Sequence, residues 1–124
     1  SDLKVVLADD GVPAGKYAAQ ALQAAGATVK PVSKEPDVKA AVAKVTLGEA
    51  DATIVYATDV LAAGTKGQGV EIPSPANVVA EYPVAVTRST KNPAGAAAFV
   101  GAVLSTPGQD ALRQRGFSPA AGAH

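Results

Sequence analysis

The chain alternates short apolar runs with stretches in which apolar residues recur every three or four positions. Leu3-Lys4-Val5-Val6-Leu7-Ala8 is β-branched and nearly continuous, the pattern of a strand buried on both faces. Asp9-Asp10-Gly11 predicts a turn, and Pro13 stands at a plausible first helical position. Tyr17, Ala18, Ala21, Leu22 and Ala25 then trace one helix face, which Gly26 stops. Residues 27–32 predict a second strand. Asp37 is placed as the N-cap of a second helix whose inner face is Val38, Ala41, Val42 and Val45, with Gly48 at its end.

Residues 52–56 (Ala-Thr-Ile-Val-Tyr) predict a third strand, residues 59–63 a short helix, and residues 70–72 a further strand after a Gly-rich connection. This alternation predicts an α/β fold, a mostly parallel sheet with helices on both faces. Tyr82 to Thr87 predicts one more strand. Asn92-Pro93 and Thr106-Pro107 each open a helix, the second stopping at Gly116. Residues 118–124 are small and polar or Ala/Gly-rich, and predict a disordered tail.

Composition narrows the functions this pattern can serve. The 124 residues are 48% apolar, but 28 of them are Ala, so elements must pack closely and each contact covers little area. One modest domain is the expectation. Eleven basic and eleven acidic side chains cancel without runs of like charge, which argues against nucleic-acid binding. With no Cys and a single His at position 124, neither thiol catalysis, a Ser-His-Asp triad nor a multi-His zinc site can be built. No cofactor or metal and no enzymatic activity is expected.

Three positions stand out at strand-to-helix connections. Gly11-Val12-Pro13-Ala14-Gly15-Lys16-Tyr17 opens a helix, where unpaired N–H groups and the helix dipole favour an anion. It superficially resembles a phosphate-binding loop, but its glycines are one residue too close and Tyr17 replaces the magnesium-binding hydroxyl. An ordinary turn is the plainer reading. Asp37-Val38 starts a second helix in the same kind of loop, and an N-cap alone is usually structural. Tyr56 ends a strand, where a tyrosine is more often a packing residue with a wet hydroxyl. In a parallel sheet all three fall on one edge, at the carboxyl ends of the strands, where ligands bind.

Several segments, in order, are similar to those of the periplasmic molybdate-binding proteins of ABC transporters. They are Ala8-Asp9-Asp10-Gly11-Val12-Pro13-Ala14-Gly15-Lys16-Tyr17-Ala18, Asp37-Val38-Lys39-Ala40-Ala41, Leu47-Gly48-Glu49-Ala50-Asp51-Ala52-Thr53-Ile54-Val55-Tyr56-Ala57-Thr58-Asp59-Val60, Tyr82-Pro83-Val84-Ala85-Val86, and Ser89-Thr90-Lys91-Asn92-Pro93-Ala94. Leu104-Ser105-Thr106-Pro107-Gly108-Gln109 and Gly116-Phe117 complete the series. The segment containing Tyr56 is the most specific; the closing helices are shared more widely among type II solute-binding proteins.

The resemblance implies one lobe of a type II periplasmic-binding-protein fold. Residues 1–81 correspond to the inserted oxyanion-binding lobe, residues 82–117 to a hinge strand and C-terminal helices, and residues 118–124 to the tail. It implies a molybdate or tungstate ion held by the backbone N–H groups of Ala14 and Val38 and the Tyr56 hydroxyl, with no protonatable partner. The implied partner is an ABC permease, and the implied location is periplasmic, with membrane anchoring possible in a longer protein. Such receptors are roughly twice this length, and the serine-bearing segments of their first lobe have no counterpart here. The surface facing that lobe is then open to homodimer formation through Tyr82 to Val86. Two rival readings are a small phosphate- or nucleotide-binding enzyme domain using Gly11–Lys16, and an interaction module that binds no anion.

Overall fold

The computed structural model describes residues 2–121. They divide into two units between Ala80 and Glu81. The first unit begins with strand β1 (Val5–Ala8), helix α1 (Pro13–Ala24), strand β2 (Ser33–Glu35) and helix α2 (Val38–Thr46). Strand β3 (Ala52–Thr53), helix α3 (Ala57–Ala63) and a 3-10 turn at Gly64–Lys66 follow. The sheet is parallel with order β2-β1-β3, so β1 is central, level with Ser33–Glu35 on one side and Ala52–Thr53 on the other. This is the α/β architecture with a parallel sheet that the strand–helix alternation predicts.

The central place of β1 explains its composition. Val6, Leu7 and Ala8 are all buried, and Val6 packs with Ala41 of α2 and with Ala50. Ala41 is 0% exposed. Ala14, Ala18 and Ala21 form the buried stripe of α1. Small side chains on both helices let them lie close to the sheet, as the Ala content requires. Gly15 carries this furthest: a Cβ there would run into the carbonyl oxygens of Ala8 and Asp9.

Helix boundaries follow the local chemistry. Pro13 occupies the first turn of α1; Gly26, at φ 64°, ends it, and Ala27 N–H bonds back to the Leu22 carbonyl. Asp37 caps α2 by accepting from Ala40 N–H at 2.8 Å, and Gly48 closes it at φ 75°. Asn92 caps helix α4 (Pro93–Leu104) through Gly95 N–H. Helix α5 (Thr106–Gln114) is capped by Ser105, not by Thr106 as the Thr-Pro pair suggests. Ser105 also receives the end of α4, so its hydroxyl is already in place to accept from Gly108 N–H.

The strands depart from expectation more than the helices. The second strand is displaced from residues 27–32 to Ser33–Glu35. Ala27 is taken up in closing α1 and Pro31 has no N–H to donate, so pairing with β1 begins at Val32 N–H to the Val5 carbonyl. The third strand stops at Thr53 instead of reaching Tyr56, whose N–H turns to the Asp59 carboxylate and opens α3. Residues 70–72 and 82–87 form no strand, because neither segment finds a neighbouring strand among the described residues.

The second unit holds α4 and α5, with the Tyr82 ring edge-to-face on Phe117 at 5.9 Å. Of the expected tail, residues 122–124, including His124, lie outside the described residues. Ala120 donates its N–H to Oε1 of Gln109, which is buried and also donates to the Val103 carbonyl. Among the described residues no helix is long and apolar enough to cross a membrane.

Candidate functional site

All three parallel strands end at the same edge of the sheet, and each leads there into a helix. β1 leads to Ala14, β2 to Val38 and β3 to Tyr56. The loops are tied to one another. Asp9 N–H donates to the Glu35 carbonyl at 2.8 Å, joining the β1 and β2 ends. The Tyr17 ring of α1 meets the Tyr56 ring edge-to-face at 6.3 Å, joining the β1 and β3 ends.

The β1–α1 loop is shaped by its own hydrogen bonds. Asp9 Oδ1 accepts from Gly11 N–H at 2.9 Å, and the Asp9 carbonyl accepts from Val12 N–H at 3.1 Å. Val12 is the N-cap residue of α1 and offers no side-chain acceptor, while Lys16 N–H returns to the Val12 carbonyl. Pro13 has no N–H. The N–H groups of Ala14 and Gly15 are left without an acceptor among the described residues. Two adjacent donors at the positive end of a helix form an anion-seeking arrangement.

Helix α2 repeats the arrangement with a cap. The Asp37 side chain takes Ala40 N–H and its carbonyl takes Ala41 N–H, leaving the N–H groups of Val38 and Lys39 without acceptors among the described residues. Neither α1 nor α2 carries an acidic residue in its first turn. Gly15 and Lys39 are further donors of the same kind beside Ala14 and Val38; a cap or proline followed by two N–H groups is their only sequence signal.

Carboxylates at this edge are engaged locally. Asp10 pairs with Lys34, Glu35 accepts from the Ser33 hydroxyl at 2.6 Å, and Asp59 accepts from Tyr56 N–H at 3.1 Å. Among the described residues no group of three or more His, Cys, Asp or Glu is arranged to hold a metal. A shallow groove of about 330 Å³ lies between α2 and α3, lined by Lys39, Val42, Thr46, Asp59 and Lys66 among others. None of Ala14, Val38 or Tyr56 lines it.

Comparison with known proteins places this geometry in a family. The family model described as bacterial extracellular solute-binding protein matches residues 1–118. The molybdate-binding protein ModA of Mycobacterium bovis is 39% identical over 116 residues, covering 94% of this chain and 44% of its own length. Those of two Mycobacterium tuberculosis strains match to the same extent. The chain thus spans less than half the length of these curated relatives. No solved structure matches it significantly. With residues 1–118 matched and a parallel α/β unit that gathers helix N-termini at one sheet edge, the chain belongs to the bacterial extracellular solute-binding protein family.

Proposed function

We propose that this chain is the oxyanion-holding part of a molybdate or tungstate receptor that works outside the cytoplasm and delivers its ion to an ABC permease. The role is binding and transfer without chemical change. The observation that carries the reading is the set of acceptor-free N–H groups at Ala14 and Val38, on the same sheet edge as Tyr56. The 39% identity to molybdate-binding proteins supports the choice of ion.

Neutral donors suit a tetrahedral dianion. Each hydrogen bond to a charged group contributes about 1.5–3 kcal/mol, and the backbone N–H groups among the donors carry no ionisable proton. Molybdate and tungstate carry the charge of sulfate on a larger frame, so donor spacing and not charge selects among them. The rival nucleotide reading of Gly11–Lys16 finds less support. Pro13 removes a donor from that loop, and the ring of Tyr17 is packed on Tyr56 where a phosphate loop needs a small hydroxyl.

Isothermal titration calorimetry with molybdate, tungstate and sulfate tests the proposal. Saturable heat is expected with the first two, with affinity falling roughly tenfold or more in Tyr56→Phe, as loss of one charged hydrogen bond implies. A thermal shift with molybdate and none with Mg-ATP is the companion result. Folded protein that gives no saturable heat with either metal oxyanion overturns the proposal.

A further inference from the structure

The Tyr56 hydroxyl is the side-chain donor of the proposed oxyanion set, and its aim depends on more than its own main chain. That main chain is pinned at the start of α3. Its N–H donates to Asp59 Oδ2 at 3.1 Å, and its carbonyl accepts from the N–H groups of Asp59 and Val60 at 3.0 and 3.2 Å. These backbone bonds leave the two side-chain torsions open. A change of rotamer swings a hydroxyl at the far end of the ring out of hydrogen-bond reach of any fixed point. Strand pairing stops short of this residue: β3 ends at Thr53, and Ile54 and Val55 pair with no strand among the described residues.

Tyr17 meets this ring from α1. The edge-to-face approach, at 6.3 Å and 71°, is one that aromatic pairs favour, and both tyrosines are partly buried. Tyr17 stands three residues after Ala14, so it lies one turn beyond the acceptor-free N–H groups and on the neighbouring part of the same helix face. The first turns of α1 are themselves held firmly. Ala14 and Ala18 are buried, and Gly15 sits where a Cβ would overlap the carbonyls of Ala8 and Asp9. The ring contact therefore refers the Tyr56 side chain to the helix that carries the backbone donors. A hydroxyl after β3 and N–H groups on α1 share one frame.

We propose that Tyr17 is a positioning residue of the oxyanion site: its ring holds the Tyr56 ring in the rotamer that brings the hydroxyl to the ion, and its own hydroxyl takes no part. The inference rests on the oxyanion reading and adds to it a residue that touches no ion. Its signature is conditional. Tyr17 matters to binding only while Tyr56 has a hydroxyl to aim.

Calorimetric titration with molybdate tests this on the parent, Tyr17→Leu, Tyr56→Phe and the double variant, each checked for folding by circular dichroism. Tyr17→Ile serves in place of the leucine variant if that chain does not fold. Tyr17→Leu should weaken binding roughly two- to tenfold, the strength of an edge-to-face pair expressed as affinity. In the Tyr56→Phe background the same change should alter affinity by less than about twofold. Tyr17→Phe keeps the ring and should bind as the parent does. Three-bond Hα–Hβ couplings give a readout without ligand: one Tyr56 rotamer in the parent and in Tyr17→Phe, an averaged value in Tyr17→Leu. An equal loss in both backgrounds overturns the proposal, as does a loss in Tyr17→Phe or an unchanged Tyr56 rotamer in Tyr17→Leu. If Tyr56→Phe weakens binding and Tyr17→Leu does not, the positioning role alone fails. A folded parent that gives no saturable heat overturns the oxyanion reading and this role with it.

Discussion

The ring of Tyr17 stands edge-on to the ring of Tyr56, their centroids 6.3 Å apart and their planes at 71°. One lies in the second turn of α1 and the other at the start of α3, so the contact locks two strand-to-helix junctions together. Edge-to-face pairs contribute about 0.5–1.5 kcal/mol beyond their buried area. A double-mutant cycle on Tyr17→Leu and Tyr56→Leu, followed by urea denaturation, should return a coupling energy in that range. Tyr56→Phe keeps the ring and should leave the coupling intact while weakening oxyanion binding, which separates packing from the hydroxyl.

Gly15 is irreplaceable for a main-chain reason. A methyl group there meets the carbonyls of Ala8 and Asp9, which belong to the central strand and its turn and cannot rotate away. Gly15→Ala should cost about 1–3 kcal/mol, the usual range for overpacking. Gly67→Ala, where nothing lies within 4 Å and φ is −156°, should fall within about 0.5 kcal/mol of the parent. Equal costs in chemical denaturation would contradict this contrast.

Asp37 holds Ala40 N–H at the start of α2. Asp37→Ala should destabilise by about 1 kcal/mol and Asp37→Asn by much less, since asparagine caps nearly as well. The neutral cap also removes a negative charge one residue from Val38. Asp37→Asn should therefore tighten molybdate binding while leaving the melting temperature almost unchanged.

Lys44 Nζ donates to Glu49 Oε2 at 2.6 Å across the end of α2, and this hydrogen bond raises the lysine pKa above its ordinary 10.5. The charged lysine is favoured in the folded state, so the pair's contribution is fully present below pH 10.5 and disappears as pH rises through the elevated value. NMR titration of the side-chain amine should show the upward displacement, and Glu49→Gln should return it toward 10.5. Both groups are substantially solvent-exposed, so added salt should shrink the displacement.

What could be read from the sequence divides by how local the cause is. Asp37 and Asn92 cap helices, and Gly26 and Gly48 end them, because each acts on groups within a few residues of itself. Strands are legible only where a neighbouring strand exists to pair with them, even one as far along the chain as Ala52 is from Val5. Val5–Ala8 is flanked by two strands and forms as expected, but Tyr82–Thr87 has the composition of a strand and no strand partner among the described residues. The β2 displacement turned on Pro31, whose missing donor matters only once the register with Val5 is known. At the candidate site, Ala14 and Val38 were visible as residues beside a helix start. That Gly15 and Lys39 lack acceptors depends on where Asp9, Val12 and Asp37 send their own bonds, which periodicity does not reveal.

Ser105 ends α4 and begins α5 with one residue. Its hydroxyl donates to the Ala102 carbonyl at 2.6 Å and accepts from Gly108 N–H at 3.3 Å, while its carbonyl takes Gln109 N–H at 2.9 Å. Gly108, which has no room for a Cβ against the carbonyls of Ala102 and Val103, draws the second helix tight to the first. A corner built this way has no linker residue beyond Ser105 itself between its two helices. The direction in which α5 leaves α4 is therefore set by the bonds of one serine and by the close approach at Gly108.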